Sequence, residues 1–227
     1  MILLTGSAGF LGRLLLPLLR EAGEAIALKR GATATASAAE WTADLLNPQH
    51  TQHLAQCGQK IDTLIHLAGH IEIAIRPGPD GAPIPGAEDL WSLYAGNVAM
   101  TANVLGLAHA LGVKHFIFAS SQTVYGHQKQ LPIREDAPTN ALEHYAASKI
   151  ACEHMLRLAA QAGISVTALR IPGLYGPQRK SGAAYNFCHS ALTSGVVKTR
   201  CDVALPWDVL HVDDAAKGFA LAAQKRP

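Results

Sequence analysis

The chain has 227 residues, 49% of them hydrophobic and 16% charged, with a formal net charge of +2. That length and apolar content suit one large α/β domain with a full core and exclude a disordered chain. Without a long basic run there is no electrostatic basis for a nucleic-acid partner.

"MILLTGSAGFLGRLLLPLLR" opens the chain. No basic region precedes its apolar run, glycines punctuate it and Arg13 interrupts it. It therefore reads as neither a signal peptide nor a bilayer span. We expect a strand at residues 2–5, a glycine turn and a helix at 11–22 ended by Gly23, hence a cytoplasmic protein without a membrane partner. Residues 25–29 read as a second strand, followed by a loop through Ala39 and a third short strand near 40–43. Residues 61–67, "IDTLIHL", read as a fourth strand whose apolar content suits cover on both faces. "RPGPDGAPIPGAED", from Arg76, reads as a loop rather than a linker, because strand and helix patterns resume beyond it.

A helix is expected at 90–111 with Gly112 as its C-cap. A strand at 115–119, a helix at 145–162 ended by Gly163 and a strand at 165–170 follow. Strands alternating with helices predict an α/β fold with a doubly wound parallel sheet of Rossmann type. Cys57, Cys152, Cys188 and Cys201 lack paired spacing, which predicts free thiols in a reducing compartment.

Gly6, Gly9 and Gly12 fall between the first strand and the first helix. Glycines let backbone approach a pyrophosphate, and a helix N-terminus offers free N–H groups and a positive dipole end. The second strand ends in Lys29 and Arg30, where NAD sites usually supply an acidic residue. Two cations there would attract a 2′-phosphate, so NADP is expected over NAD.

"YAASK" sets Tyr145 and Lys149 one helical turn apart, on one face of the predicted helix. A phenol titrates near 10, and a neighbouring ammonium together with the positive charge of an oxidised nicotinamide would favour its ionised form. Such spacing is common by chance, so its meaning rests on its surroundings.

Those surroundings line up in order: "TGSAGFLG", "ADL" from Ala43, "HLAG" from His66, "NV" at Asn97, "SSQTVYG" from Ser120, "YAASK", "RIPGLYGP" from Arg170 and "HVDDAA" from His211. The set resembles the extended short-chain dehydrogenase/reductase family, which includes NAD(P)-dependent epimerases and dehydratases of nucleotide sugars. The resemblance implies Ser121, Tyr145 and Lys149 as the catalytic set. Tyr145 would move the substrate proton, Lys149 would also bond the nicotinamide ribose, and Ser121 would hold the substrate oxygen. It implies cofactor contacts from Gly6, Gly9, Phe10, Leu11, Gly12, Asp44, Leu45, Leu67, Ala68 and Gly69. Asn97 would brace that region, and Pro172 would lie by the nicotinamide. It also implies a small-molecule, sugar-like substrate and a homodimer.

Simpler readings stand beside these. Asp44 precedes an Asn-Pro step and could be a turn residue, Asn97 a helix-surface residue, and Ser120 and Ser121 loop-satisfying hydroxyls. His66, in an apolar strand, reads as a satisfied core histidine. His211, Asp213 and Asp214 could bind a metal, but the acids fall where a helix starting at Ala215 would want an N-cap, the favoured reading.

Gln122 and Thr123 replace the acidic pair of the family's dehydratases, which argues against dehydration. Gly173 replaces an asparagine common in sugar-nucleotide enzymes, and His144 a proline. The chain stops at Pro227, soon after the "HVDDAA" helix. The expected organisation is therefore a dinucleotide-binding domain at 1–172, a reduced substrate lobe at 173–210 and a returning helix at 211–227. The function expected is an NAD(P)-dependent oxidoreductase acting on a secondary alcohol or ketone. A nucleotide-sugar epimerase with retained NAD and a non-catalytic dinucleotide-binding protein are the alternatives.

Overall fold

The computed structural model describes residues 1–71, 75–77, 83–85, 87–180, 182–197 and 208–225. Seven strands form the main sheet: β1 (Ile2–Thr5), β2 (Ala25–Lys29), β3 (Thr35–Ala36), β4 (Glu40–Thr42), β5 (Thr63–His66), β8 (His115–Ser121) and β9 (Ser165–Ile171). β6 (Ile75–Pro77) pairs with β7 (Pro83–Pro85), and β10 (Gly173–Tyr175) with β11 (Val209–His211). The main-sheet order is β3-β4-β2-β1-β5-β8-β9, parallel throughout except for the β3–β4 pair. The chain leaves β1 toward β2 on one side and later returns to its other side as β5. That reversal opens a crevice at the strands' C-terminal ends, where ligands of such sheets bind.

The helices are α1 (Gly12–Ala22), α2 (Pro48–Ala55), α3 (Ala87–Tyr94), α4 (Met100–Ala110), α5 (His144–Gln161), α6 (Ala183–Ser194) and α7 (Val212–Gln224). Side chains alternate along the strands, as a two-residue period dictates. Leu3, Leu64 and Phe116 join a core with residues of α2, α4 and α5, whereas Leu4, Ile65 and Ile117 join one with α1 and α7. The doubly wound architecture is thus as expected.

Several local expectations need correction. The loop after β2 contains β3, whose two exposed residues carry no apolar pattern. α2 is an addition to the expected elements: Asn47 caps it by accepting from Gln49 N, and Pro48 opens it. The expected loop from Arg76 holds β7 and parts of β6 and α3, while residues 78–82 and 86 lie outside the described ones. The helix predicted at 90–111 is three pieces, with a π-helical turn at Ala95–Ala99 between α3 and α4. α7 begins at Val212 rather than Ala215. His211 is its cap, accepting from Asp213 N at 3.3 Å, and the two acids lie in its first turn. Among the described residues no group of three His, Cys, Asp or Glu side chains could hold a metal. No helix among them is long and apolar enough to cross a membrane. Cys57, Cys152 and Cys188 are free thiols; Cys201 lies outside the described residues.

Candidate active site

The turn from β1 into α1 packs too closely for side chains. Gly6 has φ +69°, and a Cβ there would sit 2.7 Å from Ala68 N; a Cβ at position 12 would collide with the Gly6 carbonyl. α1 starts without a side-chain cap or an acidic residue in its first turn, so its positive dipole end is left uncompensated. Above it lies a cleft of about 530 Å³, bounded by Gly6–Gly9, the ends of β2, β4 and β5, and the start of the α3–α4 segment. That volume falls in the range of small-molecule sites. A close-packed glycine turn, an uncapped helix start and a long cleft together fit a dinucleotide.

α5 supplies the second part. Tyr145 lies in its first turn and Lys149 one turn on, so both project on one face. The Lys149 ammonium is buried, donates to Ala119 O at 3.0 Å, and lies 5.7 Å from the Tyr145 ring centroid. Gly69 joins Lys149 to the cleft: it lines that cleft, and a Cβ there would fall 3.4 Å from Lys149 Nζ. Ser121 ends β8, where its oxygen accepts from Thr123 N and Thr123 Oγ1 at 3.2 and 3.0 Å.

Burial dominates the electrostatics of the protein alone. Tyr145 is pushed up to about 12, first by burial and then by the Glu143 charge, against a lowering hydrogen bond with Ser121. Lys149 is pushed down to about 8 by burial. The protein alone thus holds the phenol protonated at neutral pH, and Lys149 by itself does not make it acidic. Further positive charge must arrive for Tyr145 to become a base.

Two buried networks hold this arrangement. Asn97, in the π-helical turn, accepts from His70 N at 2.9 Å and donates to His70 O and Ser148 Oγ, both at 3.0 Å. It therefore fixes the segment after β5 against α5. Beneath it His66 bridges Thr5 Oγ1 (2.7 Å) and Thr101 Oγ1 (3.2 Å), and burial pushes its pKa down to about 3. It is a satisfied core histidine, as read from the sequence. The second network centres on Glu153, which accepts from Ser120 Oγ and from Arg170 through both oxygens, at 3.0 and 2.7 Å. Burial works against its charge, but the bonds from Arg170 and Ser120 outweigh burial and hold the carboxyl below its usual range.

A family model described as "NAD dependent epimerase/dehydratase family" matches residues 2–227. The chain belongs to this family. Among curated epimerase/dehydratase relatives, the UDP-glucose 4-epimerase of Azospirillum brasilense is 30% identical over 218 residues, covering 90% of this chain and 57% of that protein. The UDP-glucose 4-epimerase of Streptomyces lividans is 25% identical over 246 residues, covering 99% and 72%. The chain thus spans little more than half the length of the first. Among solved structures, MoeE5 in complex with UDP-glucuronic acid and NAD matches with a TM-score of 0.77 and 28% identity, over all of this chain and 73% of that one. The Thermus thermophilus UDP-glucose 4-epimerase complex with NAD gives 0.78 and 25%, over 99% and 75%.

Of the residues expected at the cofactor, Gly6, Gly9, Lys29, Arg30, Asp44, Leu45, Ala68 and Gly69 line the cleft. Phe10 stands outside it, with the Arg13 and Arg179 guanidiniums 5.5 and 5.3 Å from its ring centroid. Leu11 and Gly12 are buried beneath the turn, and Leu67 packs into the α1–α7 core. Asn97 acts through His70 rather than from the cleft wall. Pro172 lines a different, more open cavity of about 1630 Å³ between the turn at Gln122–Tyr125, β9 and α7. That larger space lies away from the glycine turn, so size does not mark the site.

The expected preference for NADP gains no support: both solved relatives just named hold NAD. Lys29 also pairs with Glu40, which is in register with Ala27, two residues back from the strand end. The sequence reading missed Leu46, His70, Trp91 and Met100 as cleft residues. Only His70, next to "HLAG", carried a signal, by adjacency.

Proposed function

We propose that the chain binds NAD in the cleft and acts as a nucleotide-sugar epimerase, with residues 173–210 on its substrate side. The carrying observation is the junction at Gly69, a cleft residue beside the buried Lys149 ammonium, which in turn lies 5.7 Å from the Tyr145 ring centroid. The epimerases and UDP-sugar complexes among its relatives support this reading over the simple oxidoreductase. NAD, when bound, supplies a hydride acceptor that can return the hydride. Tyr145 takes the proton of a sugar hydroxyl as that carbon loses hydride and becomes a ketone, then gives the proton back once hydride returns to the other face. Ser121 positions the oxygen through a hydrogen bond. Lys149, with the positive charge of the oxidised ring, lowers the phenol's pKa from the high value set by burial.

The test is interconversion of UDP-glucose and UDP-galactose by the purified protein. Tyr145→Phe should lower turnover by about 10²- to 10⁴-fold while NAD affinity holds. Wild-type turnover in that variant would remove the mechanism.

Arg30 at the cleft favours NADP as a second reading of the cofactor. Under it, Arg30→Ala weakens NADPH far more than NADH; equal effects support NAD. A homodimer belongs to the same proposal, and light scattering at a one-chain mass would exclude it.

A further inference from the structure

Trp91 is the most conspicuous apolar side chain bordering the cleft. It is 79% exposed on α3, whereas Leu93, two residues on, is fully buried. What sets this indole apart from other exposed apolar side chains is its place in the cleft lining, where a ligand would cover it. The lining there comes from three elements: Trp91 from α3, Met100 from α4, and Leu45 with exposed Leu46 from the loop between β4 and α2. Asn103 Nδ2 donates to Leu45 O at 2.9 Å, which ties the loop to α4. Met100 packs on the core below. Asp44 borders the same end; its Oδ1 accepts from Leu46 N at 3.0 Å. This end of the cleft thus combines apolar lining with a carboxylate, which suits a flat aromatic ring bearing an exocyclic amine.

On the dinucleotide reading above, we infer that Trp91 stacks on the adenine of the bound cofactor and closes this slot, so that it sets affinity for the adenosine half. Base–aromatic stacking accounts for roughly 5- to 150-fold in affinity per base. The indole also loses its exposed face to the ligand, so occupancy is readable from its emission.

The experiment compares wild type with Trp91→Ala and Trp91→Phe, using NAD, ADP-ribose and nicotinamide mononucleotide as probes. Trp41 and Trp207 remain in every variant, so the difference reports Trp91 alone. NAD and ADP-ribose should quench the wild-type emission, and nicotinamide mononucleotide should not. By calorimetry, Trp91→Ala should weaken NAD and ADP-ribose about tenfold or more, and Trp91→Phe should restore most of the loss. Affinities for both within twofold of wild type in the alanine variant would overturn the inference while leaving the dinucleotide site standing. Failure of wild type to bind any of the three would instead sink the dinucleotide reading itself.

Discussion

α1 and α6 are nearly equal in length, 11 and 12 residues, yet α1 buries Gly12, Leu15 and Leu19 while α6 buries none. α1 has a period-3.6 apolar stripe that seats on β1 and against α7. "AAYNFCHSALTS" has apolar residues but no packed stripe. Most helical stability comes from a packed face rather than from propensity. The glycine turn and α1 are therefore held by the core, whereas α6 contributes little to the fold's own stability.

Leu15→Ala should break this contrast most visibly, lowering stability by about 2–5 kcal/mol in thermal or urea unfolding, since Leu15 is fully buried. A loss near zero would mean that α1 is as loosely held as α6. The next effect is in pH. His66 is pushed from 6.5 down to about 3, so between those values the unfolded chain binds a proton that the folded chain refuses. Stability should fall as pH drops through that window, by about 1.4 kcal/mol per unit. His66→Gln should flatten that slope, and an unchanged slope would place the acid sensitivity elsewhere. Lys149 works at the other end: lowered to about 8, it lets stability rise between pH 8 and its unfolded value of 10.5. Its replacement by Met should remove that rise. Smallest of all is Leu192→Ala on α6, at 88% exposure, which should stay within about 0.5 kcal/mol.

The same contrast explains what could be read in advance. β1, α1, β2, β8 and β9 were legible because their apolar spacing follows the element's own period. Gly6 and Gly12 were legible because a turn that close to other backbone admits nothing else. The π-helical turn was hidden, since Ala95–Ala99 has no composition that separates it from an α-helix. The pairing of Lys29 with Glu40 was not legible, because that partner lies 11 positions on and meets it only through strand register. The rise of the Tyr145 pKa was not legible, because the burial that causes it is a product of the fold and not of the visible Lys149 spacing. Trp91 and Met100 were missed because they reach the cleft from either side of that π-helical turn.

The Glu153–Arg170 contact also constrains how this sequence can vary. Losing Arg170 alone leaves the buried Glu153 carboxylate without its main partner, a loss of up to about 3–5 kcal/mol. Losing Glu153 alone leaves a partly exposed guanidinium at smaller cost, and replacing both with apolar groups of matching volume can be nearly neutral. Lineages drifting from this one should keep the two together or discard them together, with one-step intermediates that lose Arg170 first the rarest.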